Sequence, residues 1–208
     1  MNYKNEAVLS LSGKWGLGAI MALTFFIIYY VPILLTDDGL GLMRSHFGSV
    51  LCEGLWRLLM VPLAWKFDVI FLSIAQREDV KVGNLFDGFR QFFRIFWTQF
   101  LKSFYLFCWY FLLIIPGLIR TYSYAMTDFI LQDTDLSFDA AIEYSSKLMD
   151  GHKGELFLLD LSFVGWFILS ILTLGIGFLF SYPCWMTARA HFYEHLKEGF
   201  KENSGQEM

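Results

Sequence analysis

The stretch from Leu156 to Ala188 contains a single charged residue, Asp160. A helix that crosses a membrane needs about 20 mostly apolar residues, so this stretch is too long for one crossing and long enough for two. Thr173-Leu-Gly-Ile-Gly177 lies near its middle, and glycine readily adopts the conformations that a turn requires. The sequence therefore predicts a tight hairpin of two helices, about 155–173 and 176–196, with Gly175 and Gly177 in the turn.

A second uncharged run, from Leu17 to Thr36, lies close to the amino terminus, after Lys4 and Lys14. A secretory signal peptide would have a shorter apolar core followed by a small-residue cleavage site. This run instead continues to Asp37-Asp38 without such a site. We therefore interpret it as an uncleaved membrane helix, about 15–35.

The composition supports an integral membrane protein. Of the 208 residues, 56% are apolar and 17% are charged, and the mean hydropathy is +0.47. A typical soluble domain is about 45–50% apolar and about 25% charged. The 23 phenylalanines argue against disorder, and the mixed charges form no basic face for nucleic acid. Cys52, Cys108 and Cys184 are far apart in apolar surroundings, which predicts inert buried thiols.

Three further helices are predicted between these runs, at about 49–76, 91–115 and 118–132. Pro116-Gly117 predicts the break between the last two, because proline removes a backbone donor and glycine permits a sharp turn. The segment 118–132 is only half apolar, so the sequence leaves open whether it spans the membrane or lies on its surface. Residues 77–90 predict a short connection at the membrane interface.

A seventh, amphipathic helix is predicted at 138–150, with Ser137 as its N-cap and Gly151 just past its end. Such a helix would lie in the plane of the membrane interface. The expected fold is therefore all-α: a multi-pass transmembrane helical bundle of about six helices with one interfacial amphipathic helix. It forms one membrane domain over residues 1–196, followed by a polar, frayed tail at 197–208.

The distribution of basic residues predicts the orientation of the bundle, because lysine and arginine accumulate in cytoplasmic loops. With six passes and a cytoplasmic amino terminus, Arg44 lies outside and Arg120 lies near the outer boundary. The basic residues on the cytoplasmic side are then Lys4, Lys14, Arg77, Lys81, Arg90, Arg94, Lys147, Lys153, Lys197 and Lys201. Both termini are expected in the cytoplasm.

Spaced motifs from Ile114 onward resemble a known bacterial family. They are Ile114-Ile-Pro-Gly-Leu-Ile119, Tyr122-Ser-Tyr-Ala-Met126, Leu148-Met-Asp-Gly-His-Lys153, Leu161-Ser-Phe-Val-Gly-Trp166 and Leu172-Thr-Leu-Gly-Ile-Gly177. Leu85-Phe-Asp-Gly-Phe89 is similar to a loop of the same family. Together these motifs resemble the domain-of-unknown-function family numbered 975, over about residues 80–195. The resemblance implies a multi-pass protein of the bacterial cytoplasmic membrane and brings no catalytic residues.

Two groups of residues are candidates for chemistry. Glu53, Arg57, Lys66, Asp68 and Asp160 carry charge inside apolar segments, and such residues often mark ion or substrate pathways. His191-Phe-Tyr-Glu-His195 spells the H-x-x-E-H zinc motif, and His152 is a conceivable third ligand. Amphipathic residues at the end of a membrane helix explain that motif better, because a five-residue match is common by chance, so we predict no metal and no cofactor.

Three classes of function remain open. The favoured one is a non-enzymatic membrane subunit, scaffold or protective factor that contacts lipid, other membrane proteins or a second copy of itself. The alternative is a small transporter or channel that uses the intramembrane charges, with broken helices at Pro116-Gly117 and Gly175–Gly177 forming its site. A membrane metalloenzyme built on His191, Glu194 and His195 is the remote alternative.

Overall fold

The computed structural model describes residues 3–12, 14–36, 46–78, 80–112, 114–173, 175 and 177–206. Within these ranges every regular element is helical, which confirms the all-α prediction. The elements are α1 Tyr3–Leu11, α2 Trp15–Thr36, α3 His46–Leu59, α4 Val61–Ala75, a 3-10 helix Val82–Gln91, α5 Phe92–Leu112, α6 Ile114–Ser123, α7 Thr127–Asp133, α8 Phe138–Leu148, α9 Lys153–Leu172 and α10 Phe178–Gln206.

The predicted hairpin at the carboxyl-terminal end is confirmed as α9 and α10, and Gly175 turns the chain with a φ of 89°. Gly177 allows the two helices to approach closely, because a Cβ there would lie 2.7 Å from the Cα of Ser170. The hydroxyls of Ser170 and Ser181 are 2.9 Å apart across the hairpin. The turn therefore depends on the glycines that the sequence indicated.

The helix predicted at 49–76 is interrupted. A turn at Met60 separates α3 from α4, and Pro62 lies in the first turn of α4. Proline is tolerated there because the amides of a first helical turn have no partner within the helix. The sequence interpretation passed over this signal.

The break predicted at Pro116-Gly117 is in the wrong place. Helix α5 ends at Leu112 and α6 begins at Ile114, so both residues lie in the first turns of α6. The role of Gly117 is close packing, because a Cβ on it would lie 2.6 Å from Cδ1 of Tyr110 on α5. The continuous helix predicted at 118–132 is also wrong, since Tyr124–Met126 form a turn between α6 and α7.

The ends of the chain differ from the prediction as well. Helix α1 was not predicted, and it packs along α10. Helix α10 continues to Gln206, so the tail expected to fray from residue 197 is helical. Helix α8 forms at the expected place, and Gly151 follows it with a φ of 81°. Its buried residues are Ala141, Ile142, Ser145 and Leu148, and α8 packs against α5 and α7. Protein therefore covers most of the apolar side of this helix, while Phe138 at its start is exposed.

Helix α4 occupies the centre of the fold, where it contacts α10, the 3-10 helix, α5, α7 and α2. Gly88 brings the 3-10 helix against the start of α4, because a Cβ on it would lie 2.5 Å from the carbonyl oxygen of Pro62. Among the described residues, three segments are long and apolar enough to cross a membrane. They are Trp15–Pro32, Cys52–Ala75 and Lys153–Leu172.

The outer faces of several helices expose large apolar side chains in the described chain. On α5 they recur at helical spacing and are all at least half exposed: Phe93, Trp97, Phe100, Phe104, Phe107 and Phe111. On α9 they include Leu158, Leu161, Trp166, Ile168, Leu169, Ile171 and Leu172. Cys52 is exposed and Cys108 is partly buried, so the expectation of buried thiols is met only at Cys184.

Candidate functional site

The interior carboxylate that the sequence singled out, Asp160, is paired with a cation. Arg189 donates from Nε to Oδ1 at 3.0 Å and from Nη2 to Oδ2 at 2.7 Å. Trp185 donates its Nε1 hydrogen to the same Oδ1 at 2.8 Å, and the Arg189 guanidinium lies 4.5 Å from the Trp185 ring centroid. The carboxylate therefore receives three hydrogen bonds from α10, which satisfies its charge within the helix hairpin.

Asp128 on α7 is satisfied in a similar way by α5. Lys102 donates to its Oδ2 at 2.6 Å and Gln99 donates to its Oδ1 at 2.6 Å. Arg120, the other charged residue of the segment 118–132, lies over the ring of Trp109, 4.7 Å from the centroid. The ion pair of Lys102 and Asp128 fixes α7 against α5.

Asp133, at the end of α7, is bound by α10. Lys197 donates to its Oδ2, and Tyr193 donates to the same oxygen at 3.1 Å. Partial burial opposes the charged form of Lys197, but the hydrogen bond and the charge of Asp133 outweigh it and raise the pKa of Lys197. These contacts attach the carboxyl-terminal half of α10 to the end of α7.

The charged residues of α4 have different partners. The Tyr182 hydroxyl donates to Oδ1 of Asp68, and Asp68 lies near enough to Asp128, Lys102 and Arg189 to interact with their charges. The Lys66 ammonium donates to Oε1 of Gln132 at 2.9 Å. Neither side chain forms a salt bridge with a described residue.

The five charges predicted as one polar site are distributed over three helices. Glu53 and Arg57 face each other on α3, 3.6 Å apart, as their spacing of four residues predicts. Lys66 and Asp68 lie on α4 and contact α7 and α10, while Asp160 lies on α9. Within the described chain, no hydrogen bond or salt bridge joins these three sets to one another.

A polar cavity of about 490 Å³ lies beside Lys66. The cavity is lined by three parts of the chain: α4, the 3-10 helix with the start of α5, and α7 with the segment after it. The lining residues include Trp65, Lys66, Asp87, Arg90, Arg94 and Asp135. Of the predicted polar residues, only Lys66 lines this cavity.

The residues of the H-x-x-E-H motif face three separate partners. Nε2 of His191 is 2.7 Å from the Ser10 hydroxyl, and Glu194 accepts a hydrogen bond from Gln76 at 2.7 Å. Nδ1 of His195 is 3.4 Å from the Tyr3 hydroxyl, and His152 pairs with Glu155 on α9. Among the described residues, no group of three or more histidine, cysteine or acidic side chains is placed to hold a metal ion.

Sequence reasoning missed Arg189, Lys102 and Lys197, the cations that satisfy the interior acids. A signal for Arg189 was present, because it and Asp160 lie at similar distances along the chain from the turn at Gly175. An antiparallel hairpin places such residues side by side. The other two pairs depend on the paths of α5 and α7, and the sequence predicted neither path correctly near residue 115.

Comparison with family models gives one match. Residues 112–199 match the model described as protein of unknown function (DUF975). This part of the chain is similar to the DUF975 family. The resemblance inferred from the sequence motifs is thereby confirmed, although the motif at Leu85–Phe89 lies outside the matched residues. Neither the comparison with curated proteins nor that with solved structures gives a match.

The DUF975 match contains both partners of two interior ion pairs and one partner of the third. Asp160 with Arg189, and Asp133 with Lys197, lie inside it, whereas Lys102 contacts Asp128 from α5, which lies almost entirely before the match. The matched DUF975 part includes α6 to α9 and most of α10. It contributes the acidic residue of each pair: Asp128, Asp133 and Asp160.

Proposed function

We propose that this chain is an integral membrane protein of the bacterial cytoplasmic membrane that acts through contacts with lipid or partner proteins and performs no catalysis. The observation that carries the proposal is the exposed aromatic stripe of α5, from Phe93 to Phe111. Soluble monomers rarely expose contiguous apolar patches larger than a few hundred Å², and such patches mark protein or membrane contacts. The exposed apolar face of α9 supports the same conclusion.

The paired charges support a structural role for the interior. Asp128, Asp133 and Asp160 each accept at least two hydrogen bonds, and at least one of these comes from lysine or arginine. Charges in a membrane helix usually face protein and pair with one another, because lipid cannot solvate them. Acids satisfied in this way hold helices together and are poorly suited to bind a transported ion.

The orientation that we propose places both termini in the cytoplasm. A variant without Cys52, Cys108 and Cys184 would carry one new cysteine, at Lys147, at Lys81 or at Arg44, which lies outside the described residues. In intact cells, a membrane-impermeant maleimide should label only Arg44→Cys. Lys147→Cys and its same-side control Lys81→Cys should react only after permeabilisation, and labelling of all three from one side would contradict this orientation.

The contact role is tested by placing a photoreactive amino acid on α5. At Phe104, whose side chain is exposed, we expect adducts with lipid, with a partner protein or with a second copy of the chain. At Thr98, which is buried on the same helix, we expect none of these. Absence of adducts at Phe104 would contradict the proposal.

A second candidate function is a small transporter or channel. The polar cavity beside Lys66 favours it, because polar cavities lined by charged groups mark substrate paths in membrane proteins. Flux of a small ion into proteoliposomes that falls in a Lys66→Gln variant would support this alternative over the first.

A further inference from the structure

The cavity beside Lys66 is bounded by three parts of the fold that are distant in sequence. Trp65 and Lys66 come from α4, and Asp87, Arg90 and Arg94 come from the 3-10 helix and α5. The third part is the end of α7 with the segment after it, which contributes Gln132, Thr134 and Asp135. Gly88 holds the first two parts together, because its missing side chain lets the 3-10 helix approach Pro62. Its volume of about 490 Å³ falls within the usual range for sites that bind small molecules.

Two of the lining residues, Lys66 and Trp65, are buried and carry hydrogen-bond donors. Lys66 is only 7% exposed, and its hydrogen-bond acceptor is the neutral amide oxygen of Gln132. Trp65 is 6% exposed, and its Nε1 hydrogen has no acceptor among the described residues. Burying a charge without an opposite charge, or a donor without an acceptor, is costly. Both groups therefore favour an anionic acceptor in the cavity.

Two arginines add positive charge to the same wall. Arg94 is held in place by the carbonyl oxygens of Leu136 and Thr134 and by Gln91. Arg90 is exposed and forms no salt bridge within the described chain. Guanidinium groups bind phosphate through paired hydrogen bonds, and Lys66 adds a point charge of the same sign.

The two acidic residues that line the cavity offset its positive charge only in part. Asp87 and Asp135 are exposed, so water and salt screen their charge. Asp135 lies 3.6 Å from Arg94, while the other two cations lack a carboxylate within salt-bridge distance in the described chain. The buried part of the wall is therefore positive.

We propose that this cavity binds a phosphate group, with Lys66, Arg90 and Trp65 as its donors. The phosphate belongs either to the headgroup of an anionic lipid or to a small soluble phosphate ester. The site does not depend on the contact role proposed above, because the soluble ester could bind whether or not the outer faces contact lipid or partners.

The two sources are separated by two measurements on the full chain in detergent. Native mass spectrometry detects phosphatidylglycerol retained after detergent exchange, and thermal unfolding detects binding of sodium phosphate or glycerol 3-phosphate. Retained lipid that added phosphate does not displace identifies the headgroup. A Tm increase of about 3 °C with glycerol 3-phosphate, against sodium chloride of equal ionic strength, identifies a soluble ester.

Substitutions connect the binding to this cavity. Lys66→Gln and Arg90→Gln should each weaken binding about tenfold, as expected for the loss of a charge-assisted hydrogen bond. Lys147→Gln on the surface of α8 is the matched control and should leave binding unchanged. Arg90 is exposed, so its variant should fold even if Lys66→Gln does not. Absence of both lipid and phosphate binding, or binding equal in wild type and Arg90→Gln, would overturn the proposal.

Discussion

Arg189 and Asp160 join the last two helices through a two-point salt bridge, with contacts of 3.0 and 2.7 Å. Each side chain is 18% exposed, so water solvates the pair only in part. The geometry fixes the position of α10 along α9, because Nε of the guanidinium must face Oδ1 of the carboxylate while Nη2 faces Oδ2. The hairpin is thus held at its turn by glycine and serine contacts and farther along by this pair.

The Arg189–Asp160 pair should matter for stability mainly because the loss of one partner leaves the other as an unpaired charge in a mostly buried position. We expect Arg189→Met to lower the free energy of unfolding by about 3 kcal/mol, because it leaves Asp160 without a cation in a mostly buried position. Thermal unfolding in detergent would measure the effect. The double variant Asp160→Asn/Arg189→Met should recover most of the loss, since it removes both charges.

The control for this pair is the ion pair of Glu143 and Lys147 on α8. Its salt bridge of 2.8 Å is similar in length to the 2.7 Å contact of Arg189 with Asp160, but both of its side chains are well exposed. Exposed pairs contribute little to stability. Lys147→Met should therefore leave the unfolding temperature unchanged, and equal losses in both pairs would contradict the importance assigned to burial.

Gly88 should tolerate no side chain. In Gly88→Ala the new Cβ would lie 2.5 Å from the carbonyl oxygen of Pro62, and backbone cannot move aside as a flexible side chain can. We expect a loss of about 2 kcal/mol in the free energy of unfolding. Gly83→Ala is the matched control in the same 3-10 helix, because nothing lies within 4 Å of its Cβ position. If both variants unfold at the wild-type temperature, the packing of the 3-10 helix on α4 is wrong.

The H-x-x-E-H motif should bind no zinc. His191, Glu194 and His195 contact Ser10, Gln76 and Tyr3, which directs the three side chains to different neighbours. Elemental analysis of the purified protein should find zinc far below one ion per chain, and His191→Ala should not change the amount. Zinc bound at one ion per chain and lost in that variant would restore the metalloenzyme interpretation.

The sequence predicted the hairpin of α9 and α10 well because its signals are local. Apolar length and the glycines Gly175 and Gly177 act within the segment that they shape. The same holds for α2 and for α8 with Gly151. In each case the residues that end an element are close in sequence to the residues that form it.

The predictions that failed depend on contacts between distant residues. Pro116 and Gly117 resemble a turn, yet Gly117 serves the approach of α6 to Tyr110 on α5. Likewise, Lys66 and Asp160 each stood out as an interior charge, but their partners Gln132 and Arg189 are set by the packing of α7 and α10. The cavity beside Lys66 draws on three separate parts of the chain, so no local pattern could have predicted it.

We infer that lipid surrounds the outer faces of α2, α5 and α9, which all expose large apolar side chains. Alkaline carbonate extraction of membranes from cells that express the chain tests this placement, because it releases peripheral proteins and retains those that span the bilayer. We expect the protein to remain in the membrane pellet and to need detergent for solubility. Recovery in the carbonate supernatant, as a monodisperse species in buffer alone, would contradict the account.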